Sequence, residues 1–212
     1  MKRRRAQEPE RSTERTKQRL EDAAKRAFAK HGFHGATVQQ IARDADVNVS
    51  LINHHFGGKE GLYRACLSRF SEQRLLAVDR FLSPSKSVEE FKAKVHVLVS
   101  ELLDQHLAEP EILTILLRDV NDPDLWGKEL EQRLFAFTTK LAEVFGDAKK
   151  RGFLRKDTDP LIAAAMIYMS FSGLIQFGVH LRRVSSLPLD DAASRRALLE
   201  RALHVVFNGV LK

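Results

Sequence analysis

The 212-residue sequence predicts an all-α protein, a short N-terminal helical domain followed by a longer helical one. Three observations carry that expectation. Apolar residues recur with the helical period in nearly every segment, and no convincing strand alternation interrupts them. Segment length changes along the chain, three short helices giving way to longer ones, about nine in all. The breaks fall at Gly, Pro and Asx positions, such as Gly57–Gly58, Pro84, Pro110, Asn121–Asp122–Pro123, Gly152 and Asp159–Pro160.

The elements follow in order. Leu20, Ala24, Ala27 and Phe28 form one stripe, which ends at Gly32. Val38, Ile41, Ala42 and Ala45 form a second, and Val49, Ile52 and His55–Phe56 a third. A longer helix after Gly57–Gly58 carries Leu62, Ala65, Cys66 and Phe70 towards Leu82. Val88 to Leu107 shows Phe91, Val95, Leu98, Leu102 and His106 in register. Pro110 opens the next helix, to about Val120. Leu125 to about Lys150 carries Leu130, Leu134, Phe137, Leu141 and Phe145. Asp159 suits a cap and Pro160 a first helical position for the helix over 161–183. Asp190 or Asp191 opens the last, with Leu198, Leu199, Ala202, Val205, Val206 and Val210.

Composition narrows the class. Hydrophobic residues at 43% and charged residues at 30% fit a globular chain rather than a disordered one. The formal net charge of +7 favours a polyanionic partner, nucleic acid or anionic membrane. Much of it sits in residues 1–19, where eight Lys/Arg face three Glu. A single cysteine, Cys66, allows no intrachain disulfide and reads as a small buried hydrophobe. The basic start lacks the apolar core of a secretion signal, so a cytoplasmic location is expected. Leu161–Val179 carries no formal charge, but its Ser, Gly and Gln residues fit a helix buried among others better than a membrane span.

Residues 37–59 are the most informative. Thr37 precedes an apolar-periodic run, with Gln40 three residues on, as in a capping box. Asp46–Val47 makes a tight connection, and Asn48 can cap the helix that follows. Two helices of two turns each, joined this closely, read as a helix-turn-helix, whose second member enters the DNA major groove. Helices so short need tertiary bracing. Val38, Ile41, Ala42, Val47, Ile52 and Phe56 are therefore expected to pack on the first helix, which leaves Ser50, Asn53 and His54 outward.

Over residues 16–67 the sequence resembles the tetracycline-repressor (TetR) family. The likeness lies in Ala27-Phe28, Gly32-Phe33, Ala36-Thr37-Val38-x-x-Ile41-Ala42, Val47-Asn48-Val49-Ser50 and His55-Phe56-Gly57-Gly58-Lys59-Glu60-Gly61-Leu62-Tyr63. It implies DNA contacts from Thr37 and Gln39, from Asn48, Val49, Ser50, Leu51, Asn53 and His54 on and beside the recognition helix, and from Lys59 to a phosphate. Leu51 stands where the family often has a small polar residue; it faces either the core or a thymine methyl. Asn53 stands in place of a common tyrosine and suits either an adenine or a phosphate. Asp46 replaces a usual turn glycine, and Asp tolerates the left-handed conformation better than most residues. The domains expected are a basic disordered arm (1–15), a helix-turn-helix domain (16–62) and a helical effector-binding and dimerisation domain (63–212).

The function expected is a DNA-binding regulator, a repressor that meets a palindromic operator as a homodimer and is released by a small hydrophobic effector. The alternatives are an effector-independent factor in chromosome organisation and a soluble helical ligand-binding protein. Phe91, Leu98, Leu102, Leu116, Trp126, Leu130, Phe137, Met166, Met169 and Phe177 are candidate pocket lining, with ordinary core as the plain alternative for each. Ala164, Ser170, Gly173, Ala202 and Val206 are candidates for close helix pairing between protomers. No catalytic motif, metal-ligand spacing or cofactor signature is present, so neither an enzyme nor a cofactor is expected. His31 and His34 flank a turn without further ligands at zinc spacing.

Overall fold

The structure, a computed structural model, describes the backbone of residues 3–81, 83–119, 122–184 and 191–210; side chains are described from Ser12 onward, excluding 123, 171, 174–184, 192, 195 and 210 within those ranges. Nine helices lie among the described residues: α1 (Arg3–Gly35), α2 (Val38–Asp44), α3 (Ser50–Phe56), α4 (Lys59–Phe81), α5 (Val88–Ala108), α6 (Pro110–Asp119), α7 (Pro123–Lys150), α8 (Pro160–Val184) and α9 (Ala192–Val210). The chain divides into two compact units, residues 1–70 with 110–131, and residues 71–109 with 132–212. The N-terminal stretch reads as a disordered arm from sequence, whereas α1 already begins at Arg3. Opposite charges one turn apart favour the helix there, as in the 3.1 Å Lys17–Glu14 pair.

In the first unit, Leu20, Ala24, Ala27 and Phe28 of α1 are buried, as are Ile41 and Ala42 of α2, Ile52 of α3, Leu62 and Tyr63 of α4, and Ile112 and Ile115 of α6. The rings of Phe28 and Tyr63 meet edge-on at 5.2 Å. The regular part of α1 ends at Gly32, whose φ of 75° breaks the helix where the sequence predicts. Cys66 is buried, as expected of a small hydrophobe.

The second unit has one apolar core. Val78 of α4, Phe91, Val95, Leu98 and Leu102 of α5, Phe137, Leu141 and Phe145 of α7, Ala163, Ala164 and Ile167 of α8, and Leu199 and Leu203 of α9 form it. Caps fix where its helices start. Ser87 accepts the Glu90 N–H at 3.2 Å, Asp159 accepts from Ile162 at 2.9 Å, and Asp191 accepts from Ser194 at 2.9 Å. Between Asp190 and Asp191, the structure therefore puts the last cap on Asp191. Among the described residues no helix is long and apolar enough to cross a membrane.

His106 of α5 lies wholly inside this unit. Its Nδ1 meets the Leu102 carbonyl at 2.6 Å, so Nδ1 carries the proton of a neutral ring. Burial, with Arg74 adding to it, pushes its pKa down to about 4 from the ordinary 6.5. Above 6.5 neither folded nor unfolded chain protonates this histidine, and its full stability contribution is present. Between 6.5 and about 4 only the unfolded chain gains the proton, so stability falls with falling pH. The expected loss between pH 7 and pH 5 is about 2 kcal/mol, read from urea midpoints. A His106→Leu variant should lack that component, while wild-type and variant curves running parallel over this range would contradict it.

Candidate nucleic-acid interface

The interface is built by the end of α1, the two short helices and the start of α4. Thr37 caps α2 by accepting the Gln40 N–H at 3.2 Å. The reciprocal half of the expected capping box is not formed, because the Gln40 amide turns instead to His31, 3.4 Å away. The α2–α3 turn passes through Asp46, whose φ of 51° is left-handed, as the sequence predicts. Arg19 of α1 holds it there, donating to the Asp46 carbonyl at 3.0 Å and to its carboxylate at 2.9 Å. The Asn48 carboxamide then accepts the Ser50 N–H at 2.8 Å and starts α3.

On α3, Ile52 is fully buried, and Leu51, His55 and Phe56 are half-buried. Ser50, Asn53 and His54 stand in solvent, together with Asn48, Val49, Thr37 and Gln39. This is the expected split between inward and outward residues. The His55 ring packs beside Phe56, and partial burial lowers its pKa, with His54 and Lys17 adding to the shift.

Two glycines permit the exit from α3. Gly57 ends it in the left-handed conformation, φ 73°. Gly61, in the first turn of α4, is a contact point: a Cβ there would lie 1.7 Å from the Phe56 carbonyl oxygen. A glycine in a helical first turn has no propensity advantage, and that oddity is the sequence signal for a close approach.

Lys59, expected to meet a phosphate, turns its ammonium towards the end of α1. Its Nζ donates to the carbonyls of Phe33 at 2.9 Å and Ala36 at 3.1 Å, and lies 4.6 Å from the centre of the Phe33 ring. Carbonyls at the end of α1 lack helical partners and carry the negative end of its dipole. Lys59 therefore caps α1 from α4 and leaves at most one ammonium proton for another acceptor.

A buried polar group, not visible in the sequence pattern, braces the interface from behind. Asp119 of α6 accepts from the Tyr63 hydroxyl at 2.7 Å and from Arg118 at 2.7 and 3.1 Å. Arg118 also donates to the Ala29 carbonyl of α1 at 3.1 Å. Burial and the bond to Asp119 raise the Tyr63 pKa, so its hydroxyl stays a proton donor.

The candidate pocket residues are divided between the two units. Phe91, Leu98, Leu102 and Phe137 are sealed in the core of the second unit. Trp126 and Leu130 are buried in the first unit, and Leu116 is half-buried. Met166 and Met169 are exposed. The Phe177 side chain lies outside the described residues. Of the pairing candidates, Ala164 is wholly buried in its own unit. Ser170, Gly173, Ala202 and Val206 are half-buried; the Ser170 hydroxyl bonds back to the Met166 carbonyl, and Val206 packs on the core. A helix apolar on every side does not reveal by its period which side is inward. No group of three metal-ligating side chains occurs among the described residues.

Two short helices at a tight turn, the second with a polar face in solvent, define a helix-turn-helix DNA-binding protein. Residues 20–66 match the family described as bacterial regulatory proteins, tetR family. The HTH-type transcriptional repressor SCO4008 of Streptomyces coelicolor is 33% identical over 162 residues, which are 75% of this chain and 76% of that protein. The HTH-type transcriptional regulator UidR of Escherichia coli is 22% identical over 92% of this chain and 93% of its own. The structure of the fatty acid degradation regulator FadR of Bacillus halodurans superimposes with a TM-score of 0.72 at 19% identity, covering 91% of this chain and 98% of that one. The chain belongs to the TetR family of transcriptional regulators.

Proposed function

We propose that the protein binds a palindromic operator as a homodimer, represses transcription there, and is released by a small effector. The outward face of α3, with Ser50, Asn53 and His54 in solvent around a buried Ile52, carries this reading. Asn53 reads a base edge in the major groove, with Ser50 and His54 beside it. Thr37 and Gln39 meet the flanking backbone. Free N–H groups at the start of α4 suit a phosphate more than the occupied Lys59 ammonium does.

One such module makes few base contacts, so useful affinity needs two on paired half-sites. The surface of α8 supports pairing. Leu161, Ile162, Met166 and Met169 are each more than half exposed, and their spacing sets them on one stripe. Val205 of α9 is 72% exposed. Apolar surface of this extent calls for a partner, and these large side chains, not Ala164, are the better contacts. An effector that prefers one separation of the paired α3 helices then shifts the population away from the DNA-competent form.

Selection of bound fragments from random DNA tests this reading. Paired half-sites are expected, with affinity that falls steeply as salt rises. Asn53→Ala should relax preference at one position per half-site and cost roughly 1–3 kcal/mol. An unchanged selection profile removes Asn53 from base reading; no enriched sequence at all overturns the function.

A further inference from the structure

The second unit has a charged centre. Arg74 of α4 is only 3% exposed, deep in a largely apolar core. Its guanidinium lies 4.0 Å from the centre of the Phe137 ring on α7 and 4.3 Å from that of Tyr168 on α8. The Tyr168 side chain also hydrogen-bonds it. The Tyr168 ring is in turn 6.1 Å from the buried His106 ring of α5. One turn further along α8, on the same face, the Ser172 hydroxyl is buried at 8% exposure and has no hydrogen-bond partner among the described residues.

Three helices thus bring a permanent cation, two aromatic walls and a buried hydroxyl together. The planar fork of a guanidinium matches a carboxylate. Taking a charge out of water is costly, and π faces offset only part of that. His106 is held neutral, so it adds no second charge to the centre. A single positive charge between aromatic rings suits a monoanion with an apolar body.

We propose that this centre is the effector site, and that it takes an amphipathic monocarboxylate whose carboxylate is bound by Arg74 and Ser172 between Phe137 and Tyr168. The inference rests on the reading that the second unit receives an effector. Phe137 and His106 are fully buried, so such a molecule enters only by parting the helices that cover them. That gives the ligand a different affinity for the open and closed forms, which a population shift requires.

The test uses the full-length protein bound to its selected DNA. The probes are straight-chain acids of four to twelve carbons and phenylalkanoic acids, each paired with its own primary amide. Release of DNA and the rise in thermal midpoint are measured together. At least one acid should act at a concentration about ten-fold or more below its amide. Arg74→Met should abolish that preference, Arg74→Lys should retain part of it, and Ser172→Ala should weaken it several-fold. If Arg74→Met does not fold, the other two variants carry the same comparison. Acids and amides acting alike, or a DNA-binding protein that responds to no acid, overturns the proposal and leaves the operator reading intact. Acids that stabilise a protein with no DNA preference support the site and overturn the operator reading.

Discussion

Gly61→Ala is expected to abolish specific DNA binding. The added Cβ would sit 1.7 Å from the Phe56 carbonyl oxygen and 2.9 Å from its carbon, and both are backbone atoms that no rotamer change can move. Phe56 is the last residue of α3, so relief of the clash displaces the recognition helix. Overpacking of this kind costs about 1–3 kcal/mol, and here the strain falls on the reading element itself. Fluorescence anisotropy should show affinity falling about 100-fold or more, to the non-specific level. Gly57→Ala is the control. Its φ of 73° strains any side chain, yet no atom lies within 4 Å of the new Cβ. It should cost about 1 kcal/mol and leave operator preference in place. Equal behaviour of the two variants would show that close approach at Gly61 is unimportant.

Asp119→Ala has the largest expected effect on stability. The carboxylate is 7% exposed and is the acceptor for the Tyr63 hydroxyl and for two nitrogens of Arg118. Its removal leaves a buried phenol and a partly buried guanidinium without that acceptor, at a cost of about 3 kcal/mol. Asp119→Asn keeps an acceptor for Tyr63 and should lose less. Adding Tyr63→Phe to Asp119→Ala should cost little more, because the lost partner is already absent. Trp126, the chain's one tryptophan, is buried close to the Tyr63 side chain, so its fluorescence reports on this group. A change in its emission should accompany the Asp119 variants; additive losses with unchanged emission would contradict a coupled network.

Much of the architecture is legible in the residues because local rules and tertiary packing agree. Asp159–Pro160 marks the start of α8, Thr37 that of α2, and the left-handed Asp46 the turn between α2 and α3. The split of α3 into buried Ile52 and outward Ser50, Asn53 and His54 follows from the helical period alone. Other features are set by contacts between residues far apart in the chain, and periodicity does not encode them. The bonds from Lys59 to the Phe33 and Ala36 carbonyls are one example. Asp119 belongs to a helix of Ile and Leu and shows no pattern that points to Tyr63, 56 residues earlier. The apolar stripes of the second half identify core-forming helices but not whether space remains between them. Phe137 is accordingly core, while Met169, on a helix apolar all round, is exposed.

Mapping base contacts by dimethyl sulfate on a selected duplex tests the role of α3 most directly. The reagent methylates guanine N7 in the major groove and adenine N3 in the minor groove. Protection of guanine N7 in two symmetric patches about one helical turn or a small multiple apart is the predicted result. Protection confined to adenine N3, or a single unpaired patch, would contradict a paired major-groove reader.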